Sequence, residues 1–115
     1  MAFFYVGQCA GQRNKAKIGQ TGRKYISDRM HELRKQGNEL TQVRYMHIEG
    51  NGIVAEHIEA EVRYNLDRDG KYQSVQHDHF ILTAEDSSYK DFLADAIYYA
   101  VRCCEREGIH YVIKG

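Results

Sequence analysis

AFFYVGQCAGQRNKAKIGQTGRKYISDRMHEL, residues 2–33, is the stretch on which the fold turns. Residues 2–8 are aromatic, β-branched or small and read as a strand. CAGQRNK (9–15) follows with Gly11 and Asn14 as turn residues, and AKIGQT (16–21) reads as a second short strand. The segment 2–21 therefore predicts a hairpin with a long tip. The periodicity then changes. In RKYISDRMHELRKQ (23–36), Ile26, Met30 and Leu33 fall at i, i+4 and i+7, one helical face, and Gly37 stands where the helix stops.

Downstream, TQVRYMHIE (41–49) reads as a third strand, and Asn51-Gly52 opens a helix over 53–66. Its apolar stripe is Val54, Ile58, Val62 and Leu66. DRDGKYQ (67–73) reads as a polar loop around Gly70, and HFILT (79–83) as a further short strand. A last helix is expected from about Ser87 to Glu107, with Phe92, Leu93, Ala96, Ile97, Ala100 and Val101 inward and Gly108 as its stop. HYVIK (110–114) reads as a closing strand or a tail. The order is β-β-α-β-α-(β)-α-(β), a mixed α/β layer opened by an antiparallel hairpin.

At 115 residues and 13.4 kDa, the chain suits one compact domain. Apolar residues at 43% and charged residues at 28% are the profile of a globular protein, not a disordered one. No apolar run is long enough to cross a bilayer, and residues 1–6 lack the basic start of a secretory signal. The three Cys, two of them adjacent (Cys103 and Cys104), are neither a disulfide framework nor a zinc spacing. A cytoplasmic protein is expected. Sixteen bases balance sixteen acids, yet residues 11–44 hold nine bases against three acids. A polyanion laid on one face, with carboxylates for a divalent metal nearby, suits that asymmetry; chance solvation of two surfaces is the bland reading.

Four residues stand out on these elements: Tyr5 on the first strand, Lys17 on its partner, Arg29 on the first helix and Glu59 on the second. Each sits on a rigid element at the rim of the core, where a preorganised site is best built. Singly, each is an ordinary cross-strand tyrosine, solvated lysine or charged helix residue. The tip residues Arg13 and Lys15, with Arg23 and Lys24 ahead of the helix, are candidates to touch backbone phosphates. His77-Asp78-His79 suggests a metal, but two His are too few for zinc unless further ligands such as His57 or His47 converge on them, and a polar turn with one His near substrate is the better reading. Tyr25, Tyr45, Tyr64 and Tyr72 are read as packing rather than base-stacking residues, and Cys9 as a small hydrophobe.

Taken together, F-Y-V at 4–6, K-I-G at 17–19, a helical Arg and a Glu in the next helix resemble the GIY-YIG nuclease family, over about residues 2–82. KIGQTGRKYISDRMHEL and HDHFIL are similar to its phage-associated and restriction-type branches, in which Lys replaces the second tyrosine. Phe3-Phe4 stands where the first Gly-Ile would be, and Leu33 where an aromatic or His is common, with His31 and Tyr25 nearby. The resemblance implies an α+β fold: a small three-stranded antiparallel sheet flanked by helices, with a nuclease core at 1–83 and a C-terminal helical extension at 84–115. It also implies hydrolysis of phosphodiester bonds in DNA, with Tyr5, Lys17, Arg29, His31 and Glu59 catalytic and Glu59 holding Mg²⁺ or Mn²⁺. Tyr5 would be general base, its phenolate favoured by Lys17 alongside; Arg29 would grip the phosphate in bidentate fashion. RNA stays open as substrate. The last helix caps the domain or forms the face of a homodimer, whose two sites would cut two strands. Two alternatives stand beside this reading: a nucleic-acid-binding module without cleavage, and a phage-type protein-interaction factor.

Overall fold

The computed structural model describes residues 1–76, 78–82 and 88–114. Six strands form one antiparallel sheet: β1 (Ala2–Cys9), β2 (Lys15–Thr21), β3 (Leu40–Ile48), β4 (Tyr72–Gln76), β5 (His79–Leu82) and β6 (Tyr111–Lys114), in the order β4-β5-β2-β1-β3-β6. Three helices accompany it: α1 (Ile26–Lys35), α2 (Gly52–Arg68) and α3 (Tyr89–Glu107).

The expected three-stranded sheet is thus corrected to six. Strands β2, β1 and β3 are its middle, and short strands extend it on both sides. The difference is physical. A strand of four or five residues needs only a few side chains that fit a half-buried pleat. In β4 only Tyr72 is buried, among Gln73, Ser74 and Gln76, so part of the stretch read as a polar loop pairs with β5. The chain after α3 is not a tail: β6 pairs with β3 from Ile48↔Tyr111 to Tyr45↔Lys114.

The two sheet faces divide by the pleat. Ala2, Phe4 and Val6 of β1, Ala16 and Ile18 of β2, and Met46 and Ile48 of β3 join one buried cluster with α2 and α3. Helix α2 supplies Ala55, Ile58, Val62 and Leu66, close to the expected stripe, and starts on Asn51, whose Oδ1 accepts from the N–H groups of Ile53 and Val54. The stripe of α3 (Phe92, Ala96, Ile97, Ala100, Cys103, Cys104) is buried against this sheet, so the helix caps the domain. Gly108 ends it in the left-handed conformation at φ 69°. Phenols tie α3 in place: Tyr89 donates to the Gln42 carbonyl, and Tyr72 to Asp95, each at 2.6 Å. The opposite face carries Phe3, Tyr5 and Lys17, and there α1 packs through Leu33, 1% exposed. No helix among the described residues is long and apolar enough to cross a membrane.

Candidate functional site

The site forms where β5 leaves β2. Among the described residues the two strands pair from Lys15↔Ile81 to Lys17↔His79, after which the Ile18 N–H is taken by the Asp78 carbonyl at 2.9 Å. Lys17 is the last paired residue of β2 at this notch, and it is buried at 3% exposure. An ammonium out of water requires a counter-charge. Asp78 provides it through Oδ2, and the Ile18 carbonyl accepts a second bond from Nζ at 3.3 Å. Asp78 Oδ1 meets His79 Nδ1 at 3.1 Å. Burial works against the Asp78 carboxylate, but the Lys17 hydrogen bond and charge, with His79 behind them, hold its pKa below the usual range. Burial and the neighbouring Lys17 push the His79 pKa down.

Tyr5 stands opposite Gly19 on β2 and Tyr45 on β3. Its ring lies across β2, so that a Cβ on Gly19 would sit 2.3 Å from the phenol oxygen. That is the reason for the glycine in Ile18-Gly19: only a residue without a side chain lets the phenol cross the strand. Tyr5 is fully buried, and its oxygen accepts a hydrogen bond from Arg29 Nε at 3.2 Å. Arg29 reaches it from α1, one turn before the anchoring Leu33. The cation touching the phenol oxygen is therefore Arg29, while Lys17 Nζ lies 5.7 Å from the ring centroid.

Glu59 enters from α2, with its side chain 15% exposed and Arg63 Nη1 at 3.6 Å. Burial raises its pKa, the Asp78 charge raises it further, and Lys17 and Arg63 offset part of this. Glu56, three residues earlier on the same helix, is exposed. The structure thus brings Tyr5, Lys17 and Arg29 together and adds Asp78 and His79, while Glu59, on α2, contacts Arg63 and is linked to them only through the Lys17 and Asp78 charges. In the sequence Asp78 stands out only as the middle of His77-Asp78-His79: its pairing with Lys17 follows from β5 lying beside β2, a register that the short HFILT run does not disclose. His77 lies outside the described residues.

His31 is not brought to this cluster. Two residues beyond Arg29 is about 200° around the helix, and His31 is exposed there. Tyr25, just ahead of α1, is 57% exposed beneath the Lys24 ammonium. The basic candidates bracket the site along β2. Arg13 and Lys15 stand at the hairpin tip, where Lys15 joins Arg34 and His79 around a cleft of about 240 Å³. Arg23 and Lys24 follow the other end of β2, with Arg23 paired to Glu32.

Glu59 offers hard oxygen donors of the kind a divalent cation takes. Comparison with protein-family models, curated proteins and solved structures finds no significant match to this chain.

Proposed function

We propose that the chain is a divalent-cation-dependent endonuclease that hydrolyses phosphodiester bonds in DNA, acting in the cytoplasm. The observation that supports this reading is the contact of Tyr5 with Arg29 and Lys17 on one face of the sheet, with the half-buried Glu59 of α2 close enough to feel the Lys17 and Asp78 charges. Arg29 would clamp a phosphate, since its planar guanidinium matches two phosphoryl oxygens and its side chain is 26% exposed. Arg29, moving onto the phosphate, would uncover the Tyr5 oxygen, which as phenolate, its own proton given up to solvent before the attack, would take a proton from the attacking water as general base. Lys17, fixed by Asp78, keeps positive charge beside the ring without being free to wander. Glu59 would hold Mg²⁺ or Mn²⁺, which when bound neutralises phosphoryl charge and lowers the pKa of its water. Arg13, Lys15, Arg23 and Lys24 would carry the sugar-phosphate strand past the notch, giving affinity without sequence information.

A second reading, a nucleic-acid-binding module without cleavage, is favoured by one observation: Tyr5 is fully buried and Lys17 is committed to Asp78. Supercoiled plasmid with Mg²⁺ or Mn²⁺ separates the two. The first reading expects nicking that Glu59→Ala and Tyr5→Phe abolish while DNA binding is retained. The second expects salt-dependent binding and no nicking. Absence of both would leave the protein-interaction factor.

A further inference from the structure

Helix α2 turns a second set of polar side chains toward α3. His57 and Glu61 lie two residues either side of Glu59, about 200° around the helix from it. The two helices run antiparallel: Tyr99 donates to Asp69 at 2.6 Å, Arg106 pairs with Glu61, and His57 Nε2 meets Glu107 Oε2 at 2.8 Å. That pairing sets an i, i+4 couple on α2, His57 and Glu61, against an i, i+4 couple on α3, Cys103 and Glu107. One ligand atom from each of the four lies within 4.8 Å of the others.

We propose that His57, Glu61, Cys103 and Glu107 form a Zn²⁺ site that clamps α2 to α3. Four donors on two rigid helices make a closed, structural type of site, and tetrahedral coordination is what zinc takes there. Zinc bonds of about 2.0–2.3 Å place tetrahedral donors roughly 3.3–3.7 Å apart. The present spread closes to that by side-chain rotation of the two glutamates. A thiolate and an imidazole in the set select a borderline metal over Mg²⁺ or Ca²⁺, which take oxygen alone.

A second observation marks the place as cation-binding. The Arg106 guanidinium already sits in it, bonded to Glu61, 3.3 Å from Glu107 Oε2 and 3.9 Å from Cys103 Sγ. Its side chain is 57% exposed and free to turn out to solvent when a metal takes its place. The Cys103 thiol donates to Glu107 Oε2 at 3.2 Å, so its proton already points at a base. Metal binding releases that proton and leaves the thiolate as ligand.

The test is a titration of the full chain with Co²⁺ as a spectroscopic probe, followed by Zn²⁺. One equivalent of Co²⁺ should give the visible bands of tetrahedral geometry and a thiolate-to-cobalt charge-transfer band, both lost when Zn²⁺ displaces it. Cys103→Ser should remove the charge-transfer band, and the exposed His57→Gln should weaken Zn²⁺ binding by about tenfold or more. Arg106→Ala should tighten it, because the competing cation is gone. Zinc well above its dissociation constant should raise Tm by about 10 °C in the wild type. Glu59→Gln should leave all of this unchanged, which keeps the outcome separate from that of the nuclease reading. No charge-transfer band in the wild type, or equal Zn²⁺ affinity in wild type and His57→Gln, overturns the proposal.

Discussion

Strand β1 has two faces, both buried, and they do different work. Ala2, Phe4 and Val6 point into hydrocarbon supplied by α2 and α3. Phe3 and Tyr5 point the other way, where Tyr5 meets Gly19, Arg29 and the Lys17 ammonium instead of aliphatic side chains. On the first face burial is itself the stabilising event. On the second, burial removes water from an ammonium and a guanidinium, and the structure offsets that with paired acceptors: Asp78 for Lys17, the Tyr5 oxygen for Arg29. Substitutions on the apolar face should therefore move stability and spare the chemistry, and those on the polar face should do the reverse or move both.

The largest expected effect is on the apolar face. Phe4→Ala removes a fully buried ring and should cost about 3–5 kcal/mol in urea unfolding, with nicking by the folded fraction unchanged. A loss of activity per folded molecule would show that the two faces are not separable.

Next comes Lys17→Met, which leaves Asp78 without its cation. Asp78 keeps some exposure, so the cost should fall below the full buried-pair value, at about 2–3 kcal/mol. The pH profile gives the sign independently. The Asp78 pKa is depressed in the folded chain, so its stabilisation is complete above the ordinary carboxylate pKa of about 3.9 and is lost as pH falls through the lower folded value. Glu59 runs the other way: its raised pKa means that deprotonation above the usual carboxylate range costs stability, and that a cation there is shed as pH falls through the same window. Acid titration of wild type against Lys17→Met should show the Asp78 contribution missing from the variant.

Gly19→Ala should cost about 1–3 kcal/mol, because the new Cβ meets the Tyr5 phenol. Made in a Tyr5→Ala background it should be close to neutral, a coupling that a double-mutant cycle reads directly. Smallest in stability are the bracketing bases. Arg13→Gln or Lys24→Gln should change folding free energy by less than about 0.5 kcal/mol, yet each should lower the slope of DNA affinity against salt by about 1. An unchanged slope removes that residue from the nucleic-acid path.

What the sequence disclosed follows the same division. The elements that carry Tyr5, Lys17, Arg29 and Glu59 are legible because each is long or strongly patterned, and order along the chain is a property of sequence. The role of Asp78 is not, since it depends on β5 pairing with β2 beside Lys17, and a four-residue strand specifies no partner. Of the outer strands, β5 and β6 are legible as short apolar runs but without a place in the sheet, whereas β4 has buried Tyr72 and half-exposed Val75 among polar residues, too little to show a period. His31 illustrates the opposite error. It is near Arg29 in sequence, but helical geometry turns residues two apart to opposite sides. The His57, Glu61, Cys103 and Glu107 cluster required two helices to be paired in a known register before its members could be seen together.

The most direct test is plasmid nicking in Mg²⁺ or Mn²⁺ by the wild type and by Glu59→Ala, each first shown to be folded and to bind DNA. A site that cleaves predicts cation-dependent nicking in the wild type and a fall of about 10²–10³-fold in the variant with DNA binding retained. Equal nicking by both proteins, or none by a wild type that binds DNA, contradicts the assignment of Tyr5, Lys17, Arg29 and Glu59 as a hydrolytic site.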